Sequence, residues 1–284
     1  MQNDEISKVF QRWNIEGPLR STYLIQIGAE ICQRKQTSEG EGGHVLDDVL
    51  DKVVQDDDNT EGTGFWSVME AAVRHVSAPT IAAGQFLRVA SGNRAERLQV
   101  ANELQMPSPH QANVQNRKAV IEDIQKAVYA SFVCAFCQGL ELISKASDAE
   151  AWEIDLATCI RIWREGCIIK SSQIGHMMEA VLSVKGESKV ANVKLLKPVS
   201  QALRENHEAL KKTVLMATEW EAVIPSLSAS LEYLKYCGST ALPTQFMEAQ
   251  MDFFGAHAFD RPGVEGEDPG KPHRGAHHYE WRPA

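Results

Sequence analysis

The stretch "AVYASFVCAFCQGLELI", Ala127 to Ile143, decides the fold class. It is an almost unbroken apolar run, yet it carries Gln138 and Glu141 and is short for a bilayer span, so it reads as a buried helix. Extending outward, "NVQNRKAVIEDIQKAVYASFVCAFCQGLELISKAS" forms one long helix, apolar on more than one face from Ala127 onward. A helix of that kind must be surrounded by others.

The rest of the chain supplies them. Ile6, Val9, Phe10 and Trp13 follow helical spacing, and Val45, Leu46, Val49, Leu50 and Val53 do likewise. Ser77 before Ala78-Pro79 predicts an N-cap and an early-turn proline, opening a helix through Val89. Further helices are predicted around Asp155–Trp163, Ser172–Ser183, Val193–Val214 and Glu219–Tyr236, the last bent at Pro225. A final helix follows "GSTALP" and carries "TQFMEAQMDFFGAH". No useful alternating stretch and no internal repeat is present, so the expected class is all-α. Gln36 to Gly43 is a polar, Gly-rich loop. Between Arg261 and Ala284 four prolines and four glycines exclude a packed helix. The expected organisation is a helical domain over 1–258 and a Gly/Pro/His-rich tail over 259–284, either disordered or an extended arm lying on something else.

Net charge is −9, and residues 37–61 alone carry nine acids against Lys52. The remainder is close to neutral and has no basic stripe, which argues against nucleic acid. The start, "MQNDEISKVF", does not read as a signal peptide, and neither a membrane nor a secreted setting is expected. Six cysteines lie in apolar surroundings, and the Cys134-x-x-Cys137 pair has no second pair at ligand spacing, so core packing in a cytoplasmic protein is expected over zinc or redox chemistry.

"DDDNTEGTGFWSVMEAAVRH", Asp56 to His75, poses the functional question. A Gly-Thr-Gly turn running into a helix is where an anion binds, through free N–H groups and the helix dipole. Yet Asp56, Asp57, Asp58 and Glu61 lead into it. A G-x-G-x-x-G turn after a strand, the dinucleotide signature, is missing.

Four motifs in register, "GTGFW", "IWREGCIIKSSQI", "QKAVYASFVCAFCQGLELI" and "LPTQFMEAQMDFFGAHAFDR", resemble the helical domain of 6-phosphogluconate dehydrogenase. "DEISKVFQRWN" and "HYEW" match the same family in the same order. The resemblance implies an all-helical domain, a homodimer, and a tail reaching into the partner. The implied reaction is the NADP-dependent oxidative decarboxylation of 6-phosphogluconate, a step of gluconate metabolism and the pentose phosphate pathway. It also implies a Rossmann domain and a helix bearing the proton-transfer lysine ahead of the matched part, so this chain alone is expected to carry no catalytic residue and to be inactive by itself. Thr63, Arg88 and His257 fall on substrate-binding positions. Where the family has a phosphate-binding lysine and, from the partner subunit, a phosphate-binding arginine, this sequence has Glu61 and Met251. The phosphate pocket therefore reads as altered.

Plainer readings stand beside these. Arg88 suits a solvated helix face, His257 suits a helix cap, and Glu61 with the Asp run suits a solvated first turn that complements the dipole. "DDNTEG" places Asp57, Asn59 and Glu61 like calcium ligands, but Val68 occupies the twelfth position, where a bidentate Glu belongs. His273, His277 and His278 have no companion ligands in the tail, so no metal site is expected. Three classes remain: the C-terminal part of a decarboxylating dehydrogenase, a non-catalytic helical dimer, and a sensor of 6-phosphogluconate or a related sugar acid.

Overall fold

Helical periodicity becomes helix throughout the computed structural model, which describes residues 1–37, 42–54, 63–110, 112–184 and 192–282. In chain order the helices are α1 (Asn3–Ile15), α2 (Tyr23–Gln33), α3 (Gly64–Val73), α4 (Pro79–Gly92), α5 (Arg94–Leu104), α6 (Arg117–Glu150), α7 (Leu156–Trp163), α8 (Ser172–Leu182), α9 (Lys197–Glu219), α10 (Pro225–Gly238) and α11 (Thr244–Gly255). The described residues contain no strand, only isolated bridges such as Thr22 to Ser171. The chain divides into two units, Met1–Tyr233 and Leu234–Ala284.

In the first unit α6 is the axis. Ala127, Ala130, Val133, Cys134, Cys137, Gln138 and Leu140 are wholly inaccessible, because α9 runs along α6 and α4 and α7 pack against it. By length and composition α6 passes for a membrane span, but its apolar faces are satisfied by neighbouring helices. Burial pushes the Cys137 thiol well above its ordinary range, which suppresses the thiolate and leaves the side chain as packing. α1 pairs with α2 and α7 with α8. Gly28 of α2 lies flat against the Phe10 ring.

Four local expectations are revised. The Val45–Val53 pattern forms only a 3-10 turn, Val45–Asp48, and Val49 and Leu50 are exposed. Arg94 Nε and Arg97 grip the Asp51 carboxylate at 2.8 and 3.1 Å, and the Arg97 guanidinium also takes the Asp51 carbonyl at 2.8 Å, so that backbone oxygen is engaged outside any helix. The helix expected across Pro225 is broken rather than bent: α9 ends at Glu219, Glu221 is left-handed (φ 57°), and Pro225 opens α10, where its missing N–H costs nothing. The helix expected from Val193 begins as a 3-10 turn, Val193–Leu195, before α9 starts at Lys197.

Ser77 does not cap α4. The N-cap position is Ala78, with no side-chain cap of its own, and the orphan donors are met from across the core. Gln138 of α6 accepts the Thr80 and Ile81 N–H groups at 3.1 and 3.3 Å and donates to Thr80 Oγ1 at 2.9 Å. Thr80 Oγ1 and Ser131 Oγ in turn bond Ser230 Oγ of α10 at 2.8 and 2.6 Å. A buried amide thus replaces a local cap and locks three helices together. Gln138→Leu leaves these donors buried and unpaired, so it is expected to cost about 1–3 kcal/mol. Urea unfolding followed by circular dichroism measures this, and an unchanged midpoint would contradict it.

In the second unit the tail is irregular and returns onto α11. Phe259 and His277 exchange backbone hydrogen bonds at 2.7 and 2.9 Å. Glu267 accepts the Arg261 N–H at 2.8 Å and His277 Nε2 at 2.9 Å.

Candidate functional site

In the first unit the Gly-Thr-Gly turn delivers Thr63 as the N-cap of α3, exposed and with no side-chain bond to the helix. Gly64 opens the helix against Gln85: a Cβ there would run into the Gln85 side-chain oxygen, and the amide would have to move aside. Gln85 is buried on α4, and Arg88 follows one turn later on that helix with its side chain exposed. The segment ahead of the acidic run reaches α4 as well. Val53 N–H donates to Ser91 Oγ at 2.9 Å, and Ser91 Oγ donates to the Arg88 carbonyl at 2.7 Å. The two arginines on Asp51, Arg97 foremost, hold its carboxyl well below the usual carboxylate range. The chain on either side of residues 55–62 is therefore fixed to α4 within a turn of Arg88. Glu61 itself, Asp56 to Asp58 and the calcium-like "DDNTEG" lie outside the described residues.

In the second unit Met251 and His257 bracket the end of α11. Met251 is exposed on the helix. The helix closes at Ala256 in the left-handed region (φ 47°), whose N–H bonds the Asp252 carbonyl, and Ala258 is left-handed too (φ 70°). His257 is exposed and packs edge-on to Phe254, ring centroids 5.8 Å apart. Its ring folds over Gly255, where a Cβ would come within 2.5 Å of it. The helix end is thus closed by backbone and by Asp252, with the His257 ring lying against it. The three tail histidines are engaged separately: His273 with the Arg274 carbonyl, His277 with Glu267 and His278 with Asp252.

Sequence reading passed over Gln85 and Asp252. Gln85 carries no signal beyond a polar residue in a small-residue helix. Asp252 has one: an acid set directly between the apolar Met251 and the pair Phe253 and Phe254 asks for a buried partner.

The chain is all-helical among its described residues, built on one long buried helix, with the glycine-opened start of α3 set against Gln85 of α4, one turn before Arg88. It superposes over 99% of its length on a solved structure described as "Plasmodium falciparum 6-phosphogluconate dehydrogenase in its apo form, in complex with its cofactor NADP+ and in complex with its substrate 6-phosphogluconate", with a TM-score of 0.84, 29% identity and 56% of that chain covered. The chain belongs to the 6-phosphogluconate dehydrogenase family, as its C-terminal domain: the family model "6-phosphogluconate dehydrogenase, C-terminal domain" matches residues 1–281. It is 54% identical over 293 aligned residues to "6-phosphogluconate dehydrogenase, decarboxylating" of Emericella nidulans, covering 100% of this chain and 59% of the relative. It is 34% identical to "6-phosphogluconate dehydrogenase, decarboxylating 1" of Oryza sativa subsp. japonica, covering 94% of this chain and 53% of that protein. The chain therefore spans a little over half the length of these relatives.

Proposed function

We propose that this chain is the substrate-binding and dimerisation domain of an NADP-dependent, decarboxylating 6-phosphogluconate dehydrogenase of the cytoplasmic pentose phosphate pathway. The observation that carries the reading is the α3–α4 arrangement. The first turn of α3 presents Thr63 and backbone N–H groups that have no acceptor within the helix, Gly64 allows close approach to Gln85, and Arg88 stands one turn along α4. Free amides at a helix start and a guanidinium are the groups that hold a phosphate. His257, exposed at the end of α11, is kept as a substrate-binding position that the family resemblance implies, contributed from the partner subunit. These residues bind and orient, and none is assigned a chemical step. Among the described residues there is no sheet and no Gly-rich strand-to-helix turn, so they do not fit a dinucleotide; NADP belongs to a nucleotide-binding half. The homodimer reading is supported by the second unit, whose α11 leaves Phe246, Met247 and Phe254 70%, 57% and 73% exposed.

Glu61 and Met251 favour a second reading, a non-catalytic or ligand-sensing relative whose phosphate pocket has lost two cations. Calorimetric titration with 6-phosphogluconate and with gluconate separates the two. The first reading expects tighter binding of the phosphorylated acid, with Arg88→Ala weakening it about tenfold through loss of a charge-assisted bond. Equal affinity for both sugar acids would remove it.

A further inference from the structure

Asp252 is the most heavily engaged side chain of the second unit, and it is 1% exposed. Its Oδ1 accepts the Ala258 N–H at 3.0 Å and His278 Nδ1 at 2.9 Å. Its Oδ2 accepts the Tyr279 N–H at 3.1 Å and Trp281 Nε1–H at 2.8 Å. A carboxylate only accepts, so His278 carries its proton on Nδ1 in this contact. With four donors on about four lone-pair sites the group is saturated.

These donors come from two places. One belongs to the turn that carries His257, and three belong to the tail, more than twenty residues further along the chain. The turn needs outside support, because Ala256 and Ala258 are both held in the left-handed region that a Cβ disfavours. The tail end also covers α11 beside Asp252. Trp281 packs on Phe253 and Tyr279 at 6.0 and 5.0 Å between centroids, and the Arg282 guanidinium lies 4.9 Å over the Phe253 ring.

We propose that Asp252 is a positioning residue that makes docking of the His278–Trp281 segment and setting of the His257 turn a single event. When the segment leaves, a buried carboxylate loses three of its four donors and must turn toward water, releasing Ala258 N–H and with it the backbone that aims His257. The consequence for ligand rests on the assignment of His257 above; the coupling itself does not. The tail then acts as more than a strap, since its docked state decides whether His257 is presented.

The test uses the full chain and a conservative change at a distance. Trp281→Phe keeps the aromatic packing and deletes one donor; Arg282→Ala removes the neighbouring stacking contact without touching Asp252. Hydrogen exchange at the Ala258 amide is expected to quicken about tenfold in Trp281→Phe, the size of one charge-assisted bond, and to stay unchanged in Arg282→Ala. Unchanged exchange in Trp281→Phe, or equal acceleration in Arg282→Ala, would overturn the coupling. For the ligand, 6-phosphogluconate affinity is expected to fall about three- to tenfold in Trp281→Phe, and that loss should vanish in a His257→Ala background. A loss that persists there overturns positioning through His257. If the unmodified chain does not distinguish 6-phosphogluconate from gluconate, the assigned function fails while the exchange arm still decides the coupling.

Discussion

Lys194→Met is expected to lower the stability of the first unit by about 3–5 kcal/mol, the cost of stranding one member of a buried ion pair. Lys194 sits on the 3-10 turn that seats Val193 and Leu196 in the core. Its ammonium pairs with Glu141 of α6, and the two side chains are 14% and 15% exposed. It also donates to the hydroxyl of the fully buried Tyr233 at 2.6 Å and lies 4.8 Å from the centre of that ring. Methionine fills the volume of the stem but leaves the Glu141 carboxylate without its cation. The double variant Glu141→Leu with Lys194→Met removes the charge as well as its partner, and such replacements are often neutral. It is expected to recover most of the loss. Urea unfolding at neutral pH reads both values, and a single-variant loss below about 1 kcal/mol would show that water already reaches the pair.

Glu141 and Gln138 show how far the sequence could be read. Both stand out in the apolar run that identified the core helix. What they do there depends on partners far along the chain: Gln138 on the start of α4, Glu141 on Lys194. Periodicity reports which face is buried, not which buried donor waits opposite. The same limit explains Ser77, a good cap by type, at a helix start that the core amide already satisfies. It explains Val45–Val53 too, where helical spacing coincides with a segment held by Asp51 on two arginines. The candidate site was readable, as a proposal, where a local motif carried it, as in Thr63-Gly64 and the turn at His257. It was not legible at Gln85 or Asp252, whose roles exist only once helix and tail have folded against them.

The altered pocket yields the other large effect. Glu61 precedes by two residues Thr63, the N-cap of α3. At about 4 Å and an effective dielectric of about 20, a carboxylate opposes each unit of phosphate charge by about 4 kcal/mol. Solvent screening reduces that at an exposed helix start, so Glu61→Lys combined with Met251→Arg is expected to raise 6-phosphogluconate affinity about a hundredfold or more. Each single change should give much less than half of the combined gain in free energy, because both groups act on one doubly charged phosphate and couple through it. Gluconate, which lacks the phosphate, should bind all four proteins alike. The enhancement should also shrink as salt rises, since exposed charges are screened beyond about 10 Å at 0.1 M. If the unmodified chain prefers 6-phosphogluconate over gluconate as strongly as the double variant does, Glu61 points away from the ligand. The acids before the Gly-Thr-Gly turn would then complement the α3 dipole and nothing more, and in the proposed site the phosphate would rest on Arg88 and the first turn of α3.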